Sequence, residues 1–268
     1  MSRTPEQLAQ LLASYAVSPD EQVRQVAHRC ALVDLWKIRD GSDVLEVGCG
    51  QGDMTVVLGN RVGDEGRVVA LDSAPPDYGA PISLGDSVKA LRDGPLGDRL
   101  DIRLGFSDWE TVPNDFDCAV LAHCAWYFPK ISELYQTLEE LRSRAIKLHF
   151  AEWRLQPKTK AQTAHFLAAI MQTLASANQP NTTRNIRNAY SEKELIAVIE
   201  AAGWKIEQVD VIAQPQLDDG VWEVAAALEV LKETFPDDVR AELENIAGQL
   251  AAQEKPYEAL PCLVITAV

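Results

Sequence analysis

Apolar and polar positions alternate along the middle of the chain with two different periods. Short apolar runs of strand length occupy residues 43–48, 67–72, 100–104, 116–122 and 145–151. Between them, segments with helical spacing cover about residues 53–61, 85–93 and 130–143. This alternation predicts an α/β fold in which crossover helices join parallel strands.

The regions that flank this core are mainly helical. A first helix is predicted to begin at Ser18 as N-cap, with Pro19 at its first position, and to end at Asp40-Gly41. After residue 155 the pattern gives a helix at 158–177, a polar loop at 178–188, a helix from Ser191 to Gly203, a strand at 204–213, two helical runs between 218 and 253, and a last strand at 260–267.

We therefore predict a single domain, residues 1–268, built from a core and additions. Residues 1–40 form an N-terminal helical extension, and residues 41–155 form the core. Residues 156–190 and 215–257 are helical insertions, for which a lid over the site and a homodimer interface are both open.

Composition and charge narrow the partners. The 268 residues are 47% hydrophobic and 24% charged, with a net charge of −15. Such a field repels phosphate backbones and anionic lipid, so we expect neither nucleic acid nor membrane as a partner. Five scattered cysteines without a C-x-x-C pair argue against disulfides and a metal site, and no signal peptide or apolar span is apparent, so we expect a cytoplasmic protein.

The most informative segment follows the first core strand. The run from Glu46 to Asp53 reads E-V-G-C-G-Q-G-D, with three alternating glycines between a strand and a helix. Glycines at this point turn the chain tightly and let a ligand approach the bare backbone. A dinucleotide such as NAD would require glycine at position 53, where Asp53 instead faces the pyrophosphate with like charge. An NAD-dependent oxidoreductase is therefore the less favoured alternative.

Two further strand ends carry polar groups suited to an adenosine. Asp72 ends an apolar strand about 20 residues beyond Gly52, where a carboxylate can accept both ribose hydroxyl hydrogens. Ser107, Asp108 and Trp109 follow the third strand and suit an adenine amino group and ring face. The three strand ends predict one adenosine-shaped ligand without phosphates.

These residues resemble the class I S-adenosylmethionine-dependent methyltransferases of the small-molecule type. The resemblance rests on the glycine run, Asp72, Asp108 and the strand 116–121, and it covers residues 40–155 well. It implies a Rossmann-like, doubly wound, seven-stranded, mostly parallel sheet whose last strand is antiparallel. It also implies S-adenosyl-L-methionine as cofactor, with Glu46 at the methionine ammonium. The full set assigned to the cofactor is Glu46, Gly48, Cys49, Gly50, Gly52, Asp72, Ser73, Ser107, Asp108, Trp109 and His123.

The methyl acceptor is expected beyond the fourth strand, where the chain reads A-H-C-A-W-Y-F-P from Ala122. His123 is the candidate catalytic base, and cofactor contact or helix capping is its alternative role. Glu152, at the end of the fifth strand, could orient His123, bind a substrate amine, or pair with a basic residue. Trp126, Tyr127 and Tyr15 are candidate substrate contacts. His28 and His165 are expected to be surface or packing residues.

The resulting functional prediction is methyl transfer to an oxygen or nitrogen of a small molecule held near His123. The motif typical of enzymes that methylate DNA or glutamine amides and the acidic cluster of metal-dependent catechol enzymes are both missing from the sequence. A cofactor-binding protein or a non-methylating enzyme on the same fold is the principal alternative.

Overall fold

The computed structural model describes residues 3–179, 182 and 184–268. Its centre is a seven-stranded sheet in the order β3-β2-β1-β4-β5-β7-β6, in which β7 runs antiparallel to both of its neighbours. The strands are β1 (Asp43–Val47), β2 (Arg67–Asp72), β3 (Leu100–Leu104), β4 (Phe116–Ala122), β5 (Ala145–Trp153), β6 (Ile206–Ile212) and β7 (Cys262–Ala267). This is the Rossmann-like α/β sheet that the sequence predicts.

Helices cover both faces and one end of this sheet. They are α1 (Pro5–Ala9), α2 (Pro19–Trp36), α3 (Asp53–Arg61), α4 (Leu84–Arg92), α5 (Ile131–Arg142), α6 (Thr163–Ala177), α7 (Glu192–Ala201), α8 (Asp219–Glu229) and α9 (Asp237–Ala251). The order reverses between β1 and β4, so the carboxyl ends of these two strands border the crevice where ligands bind in open α/β sheets.

Two separate hydrophobic clusters hold the described residues together. The larger one joins the sheet to α1, α2 and the crossover helices. The smaller one is formed by α6, α8 and α9, and it includes Met171, Ala227 and Leu243. The two predicted insertions thus pack on each other as one helical unit, which we call the lid unit.

Local details of α2 differ from the sequence prediction. The Ser18 hydroxyl makes no capping hydrogen bond, and the helix ends at Trp36 with Lys37 in the left-handed conformation at φ 55°. The expectation that the helix continues to Asp40-Gly41 is therefore wrong, because the chain turns one residue after Trp36. Within the predicted loop 178–188, residues 180, 181 and 183 lie outside the described residues.

The strand bounds otherwise agree closely with the periodicity. Ser191 caps α7 as predicted, and it forms a reciprocal capping box with Glu194. Among the residues that the structure describes, no helix is long and apolar enough to cross a bilayer.

Candidate functional site

The glycine loop leaves the carboxyl end of β1 and turns directly into α3. Gly48, Gly50 and Gly52 all have positive φ, at 77°, 52° and 93°. A Cβ on Gly48 would lie 2.5 Å from Cβ of Cys124, and one on Gly52 would lie 2.3 Å from Cδ1 of Leu91. The left-handed backbone favours glycine at both positions, and the contact with Cys124 adds a packing reason at Gly48, whereas the end of the Leu91 side chain can move away from Gly52.

Gly50 shares the positive φ but differs from Gly48 and Gly52 in its surroundings. No heavy atom lies within 4 Å of the place where its Cβ would stand. The backbone at Gly50 thus borders open space at the crevice of the sheet, as a loop that receives a ligand against its main chain requires.

Glu46 is a buried carboxyl beside this loop. Its side chain is 2% exposed, and its Oε2 accepts a hydrogen bond of 2.7 Å from Oγ1 of Thr55 on α3. Burial raises the pKa of Glu46 to about 8, and the nearby carboxylates of Asp72 and Asp53 add to the rise. A cation placed beside Glu46 would restore its ionised form, so the residue suits an ammonium group.

Asp72 stands at the end of β2, next to the loop. Its Oδ2 accepts 2.8 Å from the Gly50 backbone N–H, and its Oδ1 accepts 2.8 Å from that of Ala74. A carboxylate oxygen has two lone pairs, so each oxygen retains one for a further donor such as a hydroxyl. The neighbouring Ser73 is exposed.

The loop after β3 carries the three residues predicted to contact adenine. Ser107 and Asp108 are exposed, and the Asp108 side chain caps the short turn that follows by accepting from the Glu110 N–H at 3.0 Å. The Trp109 ring packs edge-on against Phe106, with the Arg144 guanidinium 5.4 Å over its face. Phe106 is the aromatic residue beside Asp72, since its N–H donates to the Asp72 carbonyl oxygen.

The N-terminal extension covers the glycine loop. Gln22 of α2 donates to the Asp53 carboxylate, and Ser14 donates to the Gln22 amide oxygen at 2.6 Å. Tyr15 lies in the adjoining short helical turn, residues 13–16, and is half-buried against the main core. Asp53 thus has a neutral partner from a segment far away in sequence.

His123 and Glu152 end neighbouring strands and face each other. His123 Nδ1 lies 3.6 Å from Oε1 of Glu152, and the side chains are 7% and 1% exposed. His123 has a left-handed backbone at φ 54°, a strained conformation for a residue other than glycine. Burial lowers the pKa of His123 well below its usual value, whereas burial raises the pKa of Glu152 to about 7.

Trp126 and Tyr127 follow in a short helical turn, residues 125–127, but they face different surroundings. Trp126 is buried, and its backbone N–H donates 3.2 Å to Oε2 of Glu152. Tyr127 keeps 41% of its surface exposed, yet burial among protein atoms raises its pKa, and the carboxylates of Glu223 and Glu152 raise it further. Tyr127 thus lies close to the carboxylates of Glu152 and Glu223 while part of its surface stays accessible, and we call these surroundings the cleft.

The lid unit contributes acidic groups to this cleft. Glu223 of α8 accepts a hydrogen bond of 2.6 Å from Nε2 of Gln172 on α6, and burial raises its pKa to about 7. Asp219, at the start of α8, accepts 2.7 Å from Nε2 of Gln25 on α2. Arg24 of α2 forms an ion pair with Asp218 next to it. The lid unit is thus fastened to the N-terminal helix by polar contacts.

Sequence reasoning left two roles open for His28 and His165, surface or packing, and did not foresee their partners. His28 is 1% exposed, and its Nε2 lies 2.8 Å from Nε2 of His123, so of the two expected roles packing applies. His165 is fully buried, and its Nδ1 accepts from the Leu260 N–H at 3.0 Å, so it is a packing residue. Neither contact has a local signal, because the partners are about 95 residues apart in sequence.

Comparisons with known sequences point to methyltransferases. A family model described as protein-L-isoaspartate(D-aspartate) O-methyltransferase matches residues 6–76. The chain is 27% identical over 241 residues to methyltransferase phomM of Diaporthe leptostromiformis, covering 74% of this chain and 62% of that relative. It is 42% identical over 122 residues to nocamycin O-methyltransferase of Saccharothrix syringae, covering 45% of this chain and 40% of that relative. The chain thus spans less than two thirds of the length of these relatives.

Two solved structures resemble this protein in fold over most or all of its length. A cyclopropane-fatty-acyl-phospholipid synthase-like protein from Lactobacillus casei ATCC 334 has a TM-score of 0.90 and 30% identity, with 100% of both chains covered. The [4+2]-cyclase SpnF has a TM-score of 0.54 at 15% identity, covering 90% of this chain and 79% of its own, and shares the fold.

Proposed function

Since the chain belongs to the class I S-adenosylmethionine-dependent methyltransferases, we propose that it transfers a methyl group to an oxygen or nitrogen of a small molecule. The observation that carries this proposal is the glycine loop, where open space lies at Gly50, the Asp72 carboxylate accepts from the Gly50 N–H, and the buried Glu46 carboxyl is close to Asp72. In this proposal the backbone at Gly50 lies against the cofactor, Glu46 is the partner of its ammonium group, and Asp72 is the partner of its ribose.

The cofactor supplies an electrophilic methyl carbon on a sulfonium. We propose that Glu46 holds the methionine ammonium and that Asp72 accepts the ribose hydroxyls. Phe106 then offers an aromatic face beside Asp72 for the adenine, since the Trp109 ring packs against Phe106 and Arg144. The remaining cofactor contacts proposed are Gly48, Cys49, Gly50, Gly52, Ser73, Ser107, Asp108, Trp109 and His123.

The acceptor is proposed to lie in the cleft lined by Tyr127. Methyl transfer is an in-line displacement, so the protein must hold the nucleophile close to the methyl carbon and exclude water. In this proposal His123 takes the proton that the acceptor loses, and Glu152 stabilises the charged ring that forms. Tyr15 and Trp126 complete the substrate contacts, with the Trp126 N–H orienting the Glu152 carboxylate.

Acidic groups around the cleft bear on the class of acceptor. Glu152, Glu223 and Asp219 all border it, so a neutral or cationic acceptor is favoured over an anionic one. The name of one relative specifies O-methylation, and we propose a hydroxyl as the first acceptor class, with an amine as the second. The Lactobacillus neighbour is named as a cyclopropane-fatty-acyl-phospholipid synthase-like protein. We therefore also test unsaturated fatty-acyl phospholipids as acceptors.

The experiment incubates the protein with methyl-labelled S-adenosylmethionine and a panel of phenols, alcohols, amines and unsaturated phospholipids. The proposal expects label in an oxygen- or nitrogen-bound methyl group, with one adenosylhomocysteine released per transfer. Asp72→Ala should abolish this transfer, while Asp77→Ala, in the exposed loop after β2, should not.

A reaction that requires the cofactor without releasing adenosylhomocysteine would favour the alternative, a non-methylating enzyme on this fold. SpnF shares this fold and is named as a [4+2]-cyclase, so a protein with this fold can carry the name of a different reaction class. Cofactor binding without turnover of any compound in the panel would favour a binding protein.

A further inference from the structure

One face of α6 carries a stripe of buried polar side chains. His165, Gln172 and Ser176 follow one another at helical spacing, and they are 0%, 1% and 7% exposed. Ala169, one turn after His165 on this face, belongs to the larger hydrophobic cluster, whereas Ala168 belongs to the cluster of the lid unit. The stripe therefore lies between the lid unit and the sheet.

The proton of the neutral His165 ring lies on Nε2. Its Nδ1 accepts the Leu260 N–H at 3.0 Å, so that nitrogen carries a lone pair. Burial lowers the pKa of His165 to about 3, so the ring is neutral near pH 7 and its one N–H is at Nε2. This Nε2 is buried and has no hydrogen-bond partner within the described part of the chain, whereas the other two members of the stripe are both hydrogen-bonded.

Trp126 supplies a second buried donor beside the first. Its side chain is 2% exposed, and its indole N–H can only donate. Among the described residues, Nε1 of Trp126 also has no hydrogen-bond partner. The indole and the His165 ring lie edge to face, with centroids 6.3 Å apart and planes at 79°. Two unsatisfied N–H groups thus occur side by side, although buried donors are paired as a rule.

The neighbouring Trp153 ring does not take the place of an acceptor. It lies edge-on to His165, with centroids 5.5 Å apart and planes at 67°. An N–H directed at an aromatic face makes only a weak hydrogen bond, and it would leave the Trp126 donor unpaired.

The two donors together suit one oxygen atom. A carbonyl oxygen has two lone pairs, and at N–H···O lengths of about 3 Å it can accept from two nitrogens up to roughly 6 Å apart. The separation of the two rings allows this spacing. The backbone N–H of Trp126 itself donates to the Glu152 carboxyl, so a ligand carboxylate at the indole would meet like charge. A neutral carbonyl avoids this repulsion and brings no donor of its own.

We propose that the Nε2–H of His165 and the Nε1–H of Trp126 together bind a carbonyl oxygen of the methyl acceptor. This inference rests on the proposed methyl transfer and adds a chemical feature to its acceptor, a ketone, ester or amide besides the oxygen or nitrogen that is methylated. Trp126 directly precedes Tyr127 of the cleft, and His165 shares its face of α6 with Gln172, which donates to Glu223. The donor pair is thus placed at the buried side of the cleft.

The primary test measures binding and needs no methyl transfer. Nitrogen-labelled protein with adenosylhomocysteine present is titrated with 4-hydroxyacetophenone and, separately, with 4-ethylphenol, which is a phenol of similar size without a carbonyl. Only the ketone should shift the NMR signals of the His165 Nε2–H and the Trp126 Nε1–H. It should also bind roughly 10-fold or more tightly than 4-ethylphenol, because two hydrogen bonds are gained.

Two substitutions each remove one donor. His165→Asn retains an oxygen that can accept the Leu260 N–H, and Trp126→Phe retains an aromatic ring. Each should reduce the preference for the ketone roughly 3-fold to 10-fold and leave the affinity for 4-ethylphenol unchanged. Trp36→Phe is the matched control and should keep the preference, because Nε1 of Trp36 is also buried without a partner in the described chain but its ring stacks on His149.

Three results would overturn the proposal: no shift of either signal, equal affinity for the two phenols, or a preference that neither substitution reduces. The donors would then serve an enclosed water molecule or the face of Trp153. If His165→Asn does not fold, Trp126→Phe and the signals of the wild-type protein decide the question.

The two proposals fail separately. If the wild-type protein transfers no methyl group, the proposed function fails, while the titration still decides whether the donor pair binds a carbonyl. If methyl transfer proceeds and the ketone is not preferred, only the carbonyl site is lost.

Discussion

Gly50 is the residue whose surroundings most directly support the proposed cofactor site. It shares a positive φ with its neighbours in the loop, but no protein atom occupies the space that a side chain would fill. The left-handed backbone accounts for glycine at all three positions, and Gly48 is also held by its contact with Cys124. At Gly50 we propose the ligand as the additional reason. The sequence alone does not distinguish these reasons, because all three residues fit the same motif.

Gly50→Ala should separate binding from folding. The added methyl meets no protein atom, so the free energy of unfolding should fall only by the left-handed penalty of about 1–2 kcal/mol. Cofactor affinity should fall at least 10-fold, because the methyl occupies ligand space. Gly41→Ala is the matched control, since Gly41 has φ 77°, its nearest neighbour is 4.0 Å away, and it precedes β1 at the opposite end of the strand. Calorimetry that finds equal affinity for both variants would remove Gly50 from the site.

His123 is the proposed base that takes the proton of the methyl acceptor. His123→Ala should lower kcat for a hydroxyl acceptor ~10²-fold or more, because the proton then has no base to receive it. Adenosylhomocysteine affinity should change little, since Glu46, Asp72 and the glycine loop remain. Rapid-quench turnover and calorimetry on the same preparation check both parts. An unaltered kcat would take His123 out of proton transfer.

The sequence predicts the bounds of individual helices and strands, but it does not predict contacts between elements that are far apart in the chain. The bounds of β2, β3, β4 and α3 follow from periodicity and from the glycine turns beside them. The end of α2 and the contact of its His28 with His123 depend on packing across the molecule, which no local pattern encodes. The same applies to the lid unit, whose helices are predicted singly but whose mutual packing is not.

Polar contacts join the helices α2 and α8. Arg24→Ala removes the ion pair with Asp218, whose side chains are 34% and 26% exposed, so overall stability should change by less than about 1 kcal/mol. Hydrogen exchange within α8 should nevertheless accelerate, because a tie to the rest of the protein is lost. Arg61→Ala, which removes an ion pair between α3 and α2, should leave exchange in α8 unchanged. Equal exchange in both variants would contradict a fastening role.

The negative charge of the molecule is concentrated in residues 215–258, which hold eleven Asp and Glu against three Lys and Arg. Those residues include α8 and α9 of the lid unit. The buried ionisable groups of the molecule fall into two sets with opposite effects on stability. All four histidines have a lowered pKa, while Glu46, Glu152 and Glu223 have a raised one.

The two sets predict a stability maximum near pH 6. A lowered histidine pKa means that the unfolded chain binds more protons below about 6.5, so stability is lost as the pH falls below that value. A raised carboxyl pKa means that the folded chain binds more protons from about 4.5 up to about 7 or 8, so stability is lost as the pH rises through that range.

Urea titrations between pH 5 and 8.5 measure this curve. Above pH 6.5 the free energy of unfolding of the cofactor-free protein should fall by about 1 kcal/mol per pH unit. Glu223→Gln should flatten that fall, because one of the three carboxyls no longer has to ionise in a buried place. A free energy that rises steadily from pH 6 to pH 8 would contradict the assignment of these groups as buried.

Calorimetric titration of the wild-type protein with S-adenosylmethionine and, separately, with NADH decides which cofactor the glycine loop binds. We expect one S-adenosylmethionine per chain, with affinity that weakens as the pH falls below about 8, because Glu46 must be ionised to hold the ammonium. NADH should give no heat, because its pyrophosphate would meet Asp53. Tight binding of NADH with no binding of S-adenosylmethionine would refute the proposed cofactor.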